Sequence, residues 1–423
     1  MQQQQLGPVT GGVVTQGLPI VSPENGLLLG DRALLHLGGT IEGGYDSNVF
    51  YDQYSPVHSY FLQLTPFVEL TNMARSGAVP SDLYFDLRAV LSYREYLSSD
   101  SDIRNLRSFT PTLGATVEHN SNGTVALGFA EAFSRIQDPP YTRAEAADRQ
   151  LITRDNNCAY GQLRWAPGGG RLQGVLRLSN LVDWFEYRPL KPASSMTNEV
   201  MIDASWRWLP KTALFVQIRQ GYVFYLNDTA PTAANDEAAL VTTGRKSSSF
   251  PLRAVLGIRG LITEKTAISL AAGYQNSFYS SGTTTYGFLG STLLAAELVV
   301  MPILPAKITL GVRHEFQNSV IGNFFYDDGA YVAISYTTIA RLVGSLWGRY
   351  DHNRFFDVPG VPGGERVDDS VRAGAVLDYY LRSWIYAGAS YTLNLNDSNA
   401  AGRGLTGTTY AKHQVFARIG ITY

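Results

Sequence analysis

Residues 83–94 set the pattern for most of the chain. Leu83, Phe85, Leu87, Ala89, Leu91 and Tyr93 fall on one side of an extended backbone, and Tyr84, Asp86, Arg88, Val90, Ser92 and Arg94 on the other. Alternation with a period of two means a β-strand with chemically opposite faces. The same reading recurs at Val200, Ile202, Ala204, Trp206 and Trp208 against Asp203 and Arg207, and at Val371, Ala373, Ala375, Leu377 and Tyr379 against Arg372 and Asp378. It recurs again at His413, Val415, Ala417, Ile419, Ile421 and Tyr423 against Gln414, Phe416 and Arg418.

Segmented this way, the sequence predicts strands at 34–46, 58–72, 82–97, 106–120, 123–136, 153–166, 171–187, 196–209 and 212–226. Further strands follow at 249–263, 265–279, 285–301, 306–319, 328–337, 339–352, 368–381, 384–395 and 407–423. Short links rich in turn residues, such as Asn120-Ser121-Asn122-Gly123 and Pro167-Gly168-Gly169-Gly170, alternate with longer polar ones at 138–152, 227–248, 351–369 and 394–406. Brief turns on one side and long loops on the other belong to an up-and-down antiparallel membrane barrel of about eighteen strands. The strands are also far longer than the ~5–6 residues usual in soluble sheets. A soluble propeller or sandwich, the competing all-β reading, predicts short strands and no such segregation of loops. Glu131, Gln220 and His314 fall in the apolar phase near loop-side strand ends. Residues 1–33, with a Gln run, Gly11-Gly12, Pro19 and Pro23, read as an irregular periplasmic tail before a transmembrane barrel at 34–423.

Composition agrees with one apolar and one polar face almost everywhere. Only 17% of residues are charged, against ~25% in soluble chains, while Tyr (25), Phe (19) and Gly (41) are abundant. The longest charge-free stretch, between Lys265 and Glu297, carries Gln275-Asn276-Ser277 at its middle and does not suit a transmembrane helix. A net charge of −2 gives no global case for nucleic acid. The single cysteine, Cys158, excludes an internal disulfide and multi-cysteine metal sites; it falls in the polar phase and reads as an inert thiol. The opening Met-Gln-Gln-Gln-Gln has no basic or apolar leader region, so a barrel reading implies a secretory signal already removed.

At the end of the first strand stand Tyr45, Asp46, Ser47, Asn48, Val49 and Phe50. This element resembles a family of outer-membrane β-barrel porins associated with polysaccharide biosynthesis and export. The closing run from Val415 to Tyr423 resembles the alternating, aromatic-terminated strand read by the outer-membrane assembly machinery, with Tyr where Phe is commoner. The resemblance implies an eighteen-stranded passive exit for a secreted polysaccharide chain, set among outer-membrane lipid and lipopolysaccharide. It also implies a periplasmic polysaccharide-export protein as partner. Asp46-Ser47-Asn48 has a plainer reading too, as side chains that end a strand by bonding their own backbone.

A barrel of this size encloses an aqueous channel. Its polar phase carries Arg88, Arg94, Arg164, Arg177, Arg207, Arg219, Arg253, Arg259, Arg313, Arg341, Arg349, Arg372 and Arg418. Fewer acids share that phase: Glu69, Asp86, Glu118, Asp203, Glu297, Glu315 and Asp378. Arginine binds carboxylate and phosphate in bidentate fashion, and basic charge in a low-dielectric tube focuses anions, so the lumen is expected to favour anionic or hydroxyl-rich solutes. Any one of these arginines also reads as a brace against a neighbouring acid. Tyr84, Tyr160, Trp347, Tyr380 and Tyr386 are either stacking surfaces for sugars or space-fillers on the wall. Catalysis finds no support: the six histidines are scattered, none at metal-ligand spacing, and no nucleophile elbow or phosphate loop occurs. No cofactor or resident metal is expected. Asp327-Asp328 and residues 394–399 read as solvated turns, with Ca²⁺ binding the alternative. Besides polysaccharide export, the sequence leaves open a diffusion porin for small anionic solutes and an adhesive barrel acting through its loops.

Overall fold

A computed structural model describes residues 26–30, 33–73, 80, 82–138, 152–186, 188–226, 248–280, 291–303, 305–319, 324–337, 341–356, 365–400 and 408–423. In chain order the elements are β1 (Leu27–Leu29), β2 (Ala33–Asp46), β3 (Ser59–Thr71), β4 (Leu83–Tyr96), α1 (Ser101–Arg104) and β5 (Ser108–His119). Then come β6 (Val125–Asp138), β7 (Ile152–Trp165), β8 (Leu172–Phe185), β9 (Ser195–Leu209), β10 (Thr212–Tyr225), β11 (Leu252–Thr263) and β12 (Thr266–Asn276). The last are β13 (Thr292–Val300), β14 (Ala306–Asn318), β15 (Phe324–Thr337), β16 (Leu342–Phe355), β17 (Arg366–Arg382), β18 (Ile385–Ser398) and β19 (Tyr410–Thr422).

Each strand from β2 to β19 pairs antiparallel with the next, and β19 returns to β2 from Gln414 opposite Asp46 to Thr422 opposite Gly38. Eighteen strands thus form a closed ring with no free edge. The short β1 pairs with β2 below the end of β19, Leu27 lying opposite Leu35. Among the described residues no helix is long and apolar enough to cross a bilayer, which leaves the strands to do so.

Alternation decides which way each side chain points. On β19, Val415, Ile419 and Ile421 are 50%, 59% and 51% exposed, whereas Phe416, Arg418 and Thr422 between them are 2%, 8% and 1% exposed. The same contrast runs round the ring, with Leu176, Val216, Leu256, Leu310, Leu346 and Leu377 outward. Apolar side chains outside a closed ring are what a bilayer solvates, and a closed ring is the one sheet that leaves no backbone group unpaired in lipid. The protein is an outer-membrane barrel. Its short links face the periplasm and its long ones the exterior.

Local chemistry ends the strands where turns are needed. Gly168, Gly169 and Gly170 all have positive φ (60°, 72° and 76°) between β7 and β8, a conformation that a side chain would strain. Pro66 has no N–H to give, and the β3–β4 ladder stops at Leu64 opposite Tyr93 and resumes at Phe67 opposite Val90.

The polar residues in the apolar phase need no bulge. His314, Asp328, His352, Asp369 and Asp397 lie directly opposite one another across β14 to β18. His314 Nδ1 meets Asp328, and His352 Nδ1 lies 2.8 Å from Asp369. This ladder sits one pleat beyond Val312 and Val371 and marks the outer limit of the apolar band. Glu131 similarly takes a 3.3 Å hydrogen bond from Asn157 at the loop end of β6.

Two expected boundaries move. β15 begins at Phe324 and β16 runs on to Phe355, so Asp327 and Asp351 belong to the wall rather than to loops. Strand tops rich in Asp and Asn read as turns until their partners across the sheet are known. The expected tail at 1–33 lies mostly outside the described residues, as do most of the long links at 138–152 and 227–248.

Candidate functional site: the inner face of the barrel

Inward-pointing residues form two chemically different flanks. On the first, made by β7 to β11, one cross-strand row contains Arg177, Met201, Arg219 and Arg253, each directly opposite the next. Adjacent strands stand about 4.8 Å apart, so Arg219 and Arg253 are like charges side by side. Among the described residues no carboxylate lies within ion-pair distance of Arg164, Arg207, Arg219 or Arg253. Neutral groups hold Arg164 and Arg253 instead. Arg253 Nη2 donates to the Phe316 carbonyl at 2.8 Å with its guanidinium 5.5 Å from the Phe316 ring, and Arg164 donates to the Ser121 carbonyl. Arg177 donates to Gln162 Oε1 at 2.8 Å and lies 4.4 Å from the Tyr160 ring. Arg259 reaches an acid, Asp203, at 3.1 Å, as Arg154 reaches Asp183 at 3.2 Å. Aromatic faces and carbonyls orient a guanidinium without cancelling its charge.

The second flank, β14 to β19 with β2, is braced throughout. Arg349 and Arg372 also stand directly opposite each other, but Asp351 accepts from both, at 2.6 Å and 2.9 Å. Asp351 takes a third bond from Arg313 at 3.3 Å, and Arg313 also meets Asp327. Arg418 forms a fork with Asp378 at 2.9 and 2.7 Å and reaches Glu42 at 3.6 Å. Arg366, only 2% exposed, is held by Asp368.

Arg88 and Arg94 lie between the two flanks on β4. Arg88 faces Glu69, and Arg94 donates to Gln63 at 2.8 Å above the Phe61 ring. Asp86 and Glu118 point inward beside them, Glu118 opposite Tyr84. Arg341 departs from the expected set. It is exposed in the turn before β16 with φ of 76° and donates to the Leu381 carbonyl at the periplasmic rim. Its apparent phase came from extending β16 through a turn that breaks the alternation.

Four inward aromatics pack against glycines. Trp347 lies opposite Gly374, Tyr386 opposite Gly420, Phe61 opposite Gly44 and Phe215 opposite Gly257. A Cβ on Gly374 would sit 2.6 Å from the Trp347 ring, so the ring lies flat in the space that the missing side chain leaves. Tyr380 joins Tyr386 at 5.3 Å between ring centres, while Tyr84 and Tyr160 lie on other strands. These rings are wall-fillers at separate places, not one continuous track.

Each residue of the element at 45–50 has a visible task at the seam between first and last strands. Asp46, 0% exposed, accepts from Lys412 Nζ at 2.9 Å, Gln414 Nε2 at 2.8 Å and the backbone N–H of Asn48 at 3.0 Å. Ser47 Oγ accepts the backbone N–H of His413, and Asn48 Nδ2 donates to the Ala411 and Asp52 carbonyls. Tyr45 faces outward against His58 and Tyr60. Val49 and Phe50 turn into the mouth, where they are buried with Phe61, Tyr96, Phe416, Ile103 and Leu106. Both the turn chemistry and a specific role are therefore present at Asp46.

Sequence reasoning did not place Glu42, Asp327, Asp351, Arg366, Asp368 or Lys412 on the inner wall; Asp327-Asp328, read as a turn, lies within β15. The phase of β2 extended through Glu42 would have found that residue; the others sit near strand tops that resemble loops. With them, the acids on the braced flank match its bases, and the arginine excess is confined to β7–β11.

No family model matches the chain, and none of the curated proteins is similar to it. Similar solved structures include the outer membrane protein opdK from Pseudomonas aeruginosa, 11% identical over 92% of this chain and 99% of that one, with a TM-score of 0.46. OccAB4 from Acinetobacter baumannii is 12% identical over 93% of this chain and 99% of that one, with a TM-score of 0.45. The siderophore receptor PirA from Pseudomonas aeruginosa is 7% identical over 92% of this chain and 80% of that one, with a TM-score of 0.44. The likeness is one of barrel architecture.

Proposed function

We propose that the protein is a passive outer-membrane pore that favours small anionic solutes, and that its selectivity comes from the flank at β7–β11. The observation that carries this reading is the side-by-side pair Arg219 and Arg253, directly opposite one another with no carboxylate within ion-pair distance of either among the described residues, the inward acid Glu199 standing one pleat away opposite Gly221. Like charges facing across strands repel and weaken the wall. An anion passing along that flank relieves the repulsion, and a guanidinium offers it two parallel donors. Arg164 and Arg207 continue the same field towards the periplasmic turns, and basic charge in a low-dielectric tube concentrates anions. The chemical class that fits is a carboxylate or phosphate small enough to diffuse.

Export of a polysaccharide with a periplasmic partner draws on the element at 45–50, and those residues are engaged in seam closure and mouth packing. Of the inward aromatics, Trp347 and Tyr386 cover glycines, and Tyr84 and Tyr160 lie on separate strands away from them. Both features support the diffusion reading over the export reading. Planar-bilayer recordings of the purified barrel under a KCl gradient test it. The reversal potential should show chloride preferred over potassium; equal or cation-favouring permeability would refute it.

A further inference from the structure

The two loops that follow β2 and β4 do not stand away from the barrel mouth. Val49 and Phe50 from the first loop and Ile103 and Leu106 from the second, Ile103 lying in α1, are 1%, 8%, 4% and 4% exposed. They pack on Phe61 and Phe416, rings that the strand alternation points into the bore and that meet edge-on at 5.2 Å. The first loop is tied down at several points. Val49 N–H donates to the Val57 carbonyl at 2.8 Å, and Asp52 N–H to Asn48 Oδ1 at 2.9 Å. Tyr51 meets the Tyr410 ring edge-on at 5.0 Å, and Lys412 Nζ sits 3.9 Å from the Tyr51 ring while bound to Asp46. Apolar loop residues buried on inward-facing rings make a small core inside the mouth. A core with that many fixed contacts is a built part of the wall.

The geometry points to this cap as the size-limiting element of the pore. It narrows the mouth from the side of β19 and β2 to β4, and β11 stands diametrically across from β2 in the eighteen-strand ring. A solute passing beside the cap is thereby displaced towards Arg219 and Arg253. Width and charge are set by opposite sides of the same opening. This inference rests on reading the barrel as a conducting pore and adds which residues limit what it conducts.

The test pairs Ile103→Asn with Leu106→Asn, a double variant that disfavours burial of the second loop and alters no strand residue. Single-channel conductance and uptake of neutral sugars of graded size into proteoliposomes are read together. Conductance should rise about twofold and the sugar cut-off should move to larger sizes, with the chloride preference unchanged. An unchanged conductance and cut-off in a folded, heat-modifiable barrel would overturn the inference. Should the double variant fail to fold, the wild-type protein gives the answer by polymer exclusion from each side. Polyethylene glycols that enter from the periplasmic side should be excluded from the loop side, and equal cut-offs would overturn the cap. Anion preference with a cap-independent cut-off removes the cap alone; cation preference with a cap-dependent cut-off removes the anion reading alone.

Discussion

Arg219 faces Arg253 across β10 and β11, and Arg349 faces Arg372 across β16 and β17. Both are like-charged pairs on the inner wall, and they differ in one carboxylate. Asp351 bridges the second pair and also takes Arg313, so that flank is neutral over the distance of a side chain. The first pair has a carbonyl and aromatic faces for company. One barrel thus uses the same residue type for two ends. Bridged arginines hold strands together, and unbridged ones leave a field in the bore.

The comparison can be broken by removing the bridge. Asp351→Ala should strip three arginines of their common acceptor and lower the stability of the folded barrel by about 3–5 kcal/mol, because a cluster of three positive charges on a largely buried wall keeps only Asp327 and Glu315 against it. It should also increase chloride preference, since the braced flank would come to resemble the arginine flank. Urea midpoints in detergent and reversal potentials on the same preparation check both. A variant that loses stability without moving the reversal potential would mean that the braced flank does not face the conducting path.

At the seam, Asp46→Ala should cost about 3–5 kcal/mol on the same grounds, since Lys412 is 2% exposed. Replacing Lys412 by Met in the same chain should restore most of it. A double variant no better than the single would show that Gln414 and Asn48, not the ion pair, hold the seam.

Packing comes next in size. Gly374→Ala should cost about 1–3 kcal/mol, because the new methyl meets the Trp347 ring and must push it aside. Adding Trp347→Leu should recover part of the loss. Reversal potentials should not change in either chain, which separates wall-filling from selectivity.

The smallest effect on stability and the sharpest on selectivity are expected together. Arg219→Gln with Arg253→Gln should leave the unfolding free energy from urea titration within about 0.5 kcal/mol of the parent, as there is no ion pair to lose. Chloride preference should fall by roughly threefold for each charge removed, the scale of one charge about 6 Å from the path across water. Repeating the measurement in high salt should shrink the difference.

The alternation of apolar and polar residues, with turn residues between the runs, was enough to place every barrel strand, the outward face of each and the arrangement of short and long links. These are local properties. A strand's two faces follow from successive side chains, and a turn follows from the four residues that make it. The expected strand at 285–301 is seen from Thr292, residues 285–290 lying outside the described residues, and Arg341 fell in a turn, because a run of alternating residues does not announce where pairing stops.

Which arginine is braced was legible only at Arg349, where Asp351 follows two residues later on the same face of β16; Arg219 has Gln217 and Gly221 in those places and no acid. The rest lies in what the neighbouring strands bring alongside: Asp351 reaches Arg372 on β17 and Arg313 on β14, a contact set by register around the ring. Burial of Asp46 against Lys412 is decided the same way, by closure of the last strand on the first. Side chains hundreds of residues apart become neighbours only when the sheet closes. Charge type was therefore written in the sequence, and charge balance was decided by the tertiary structure.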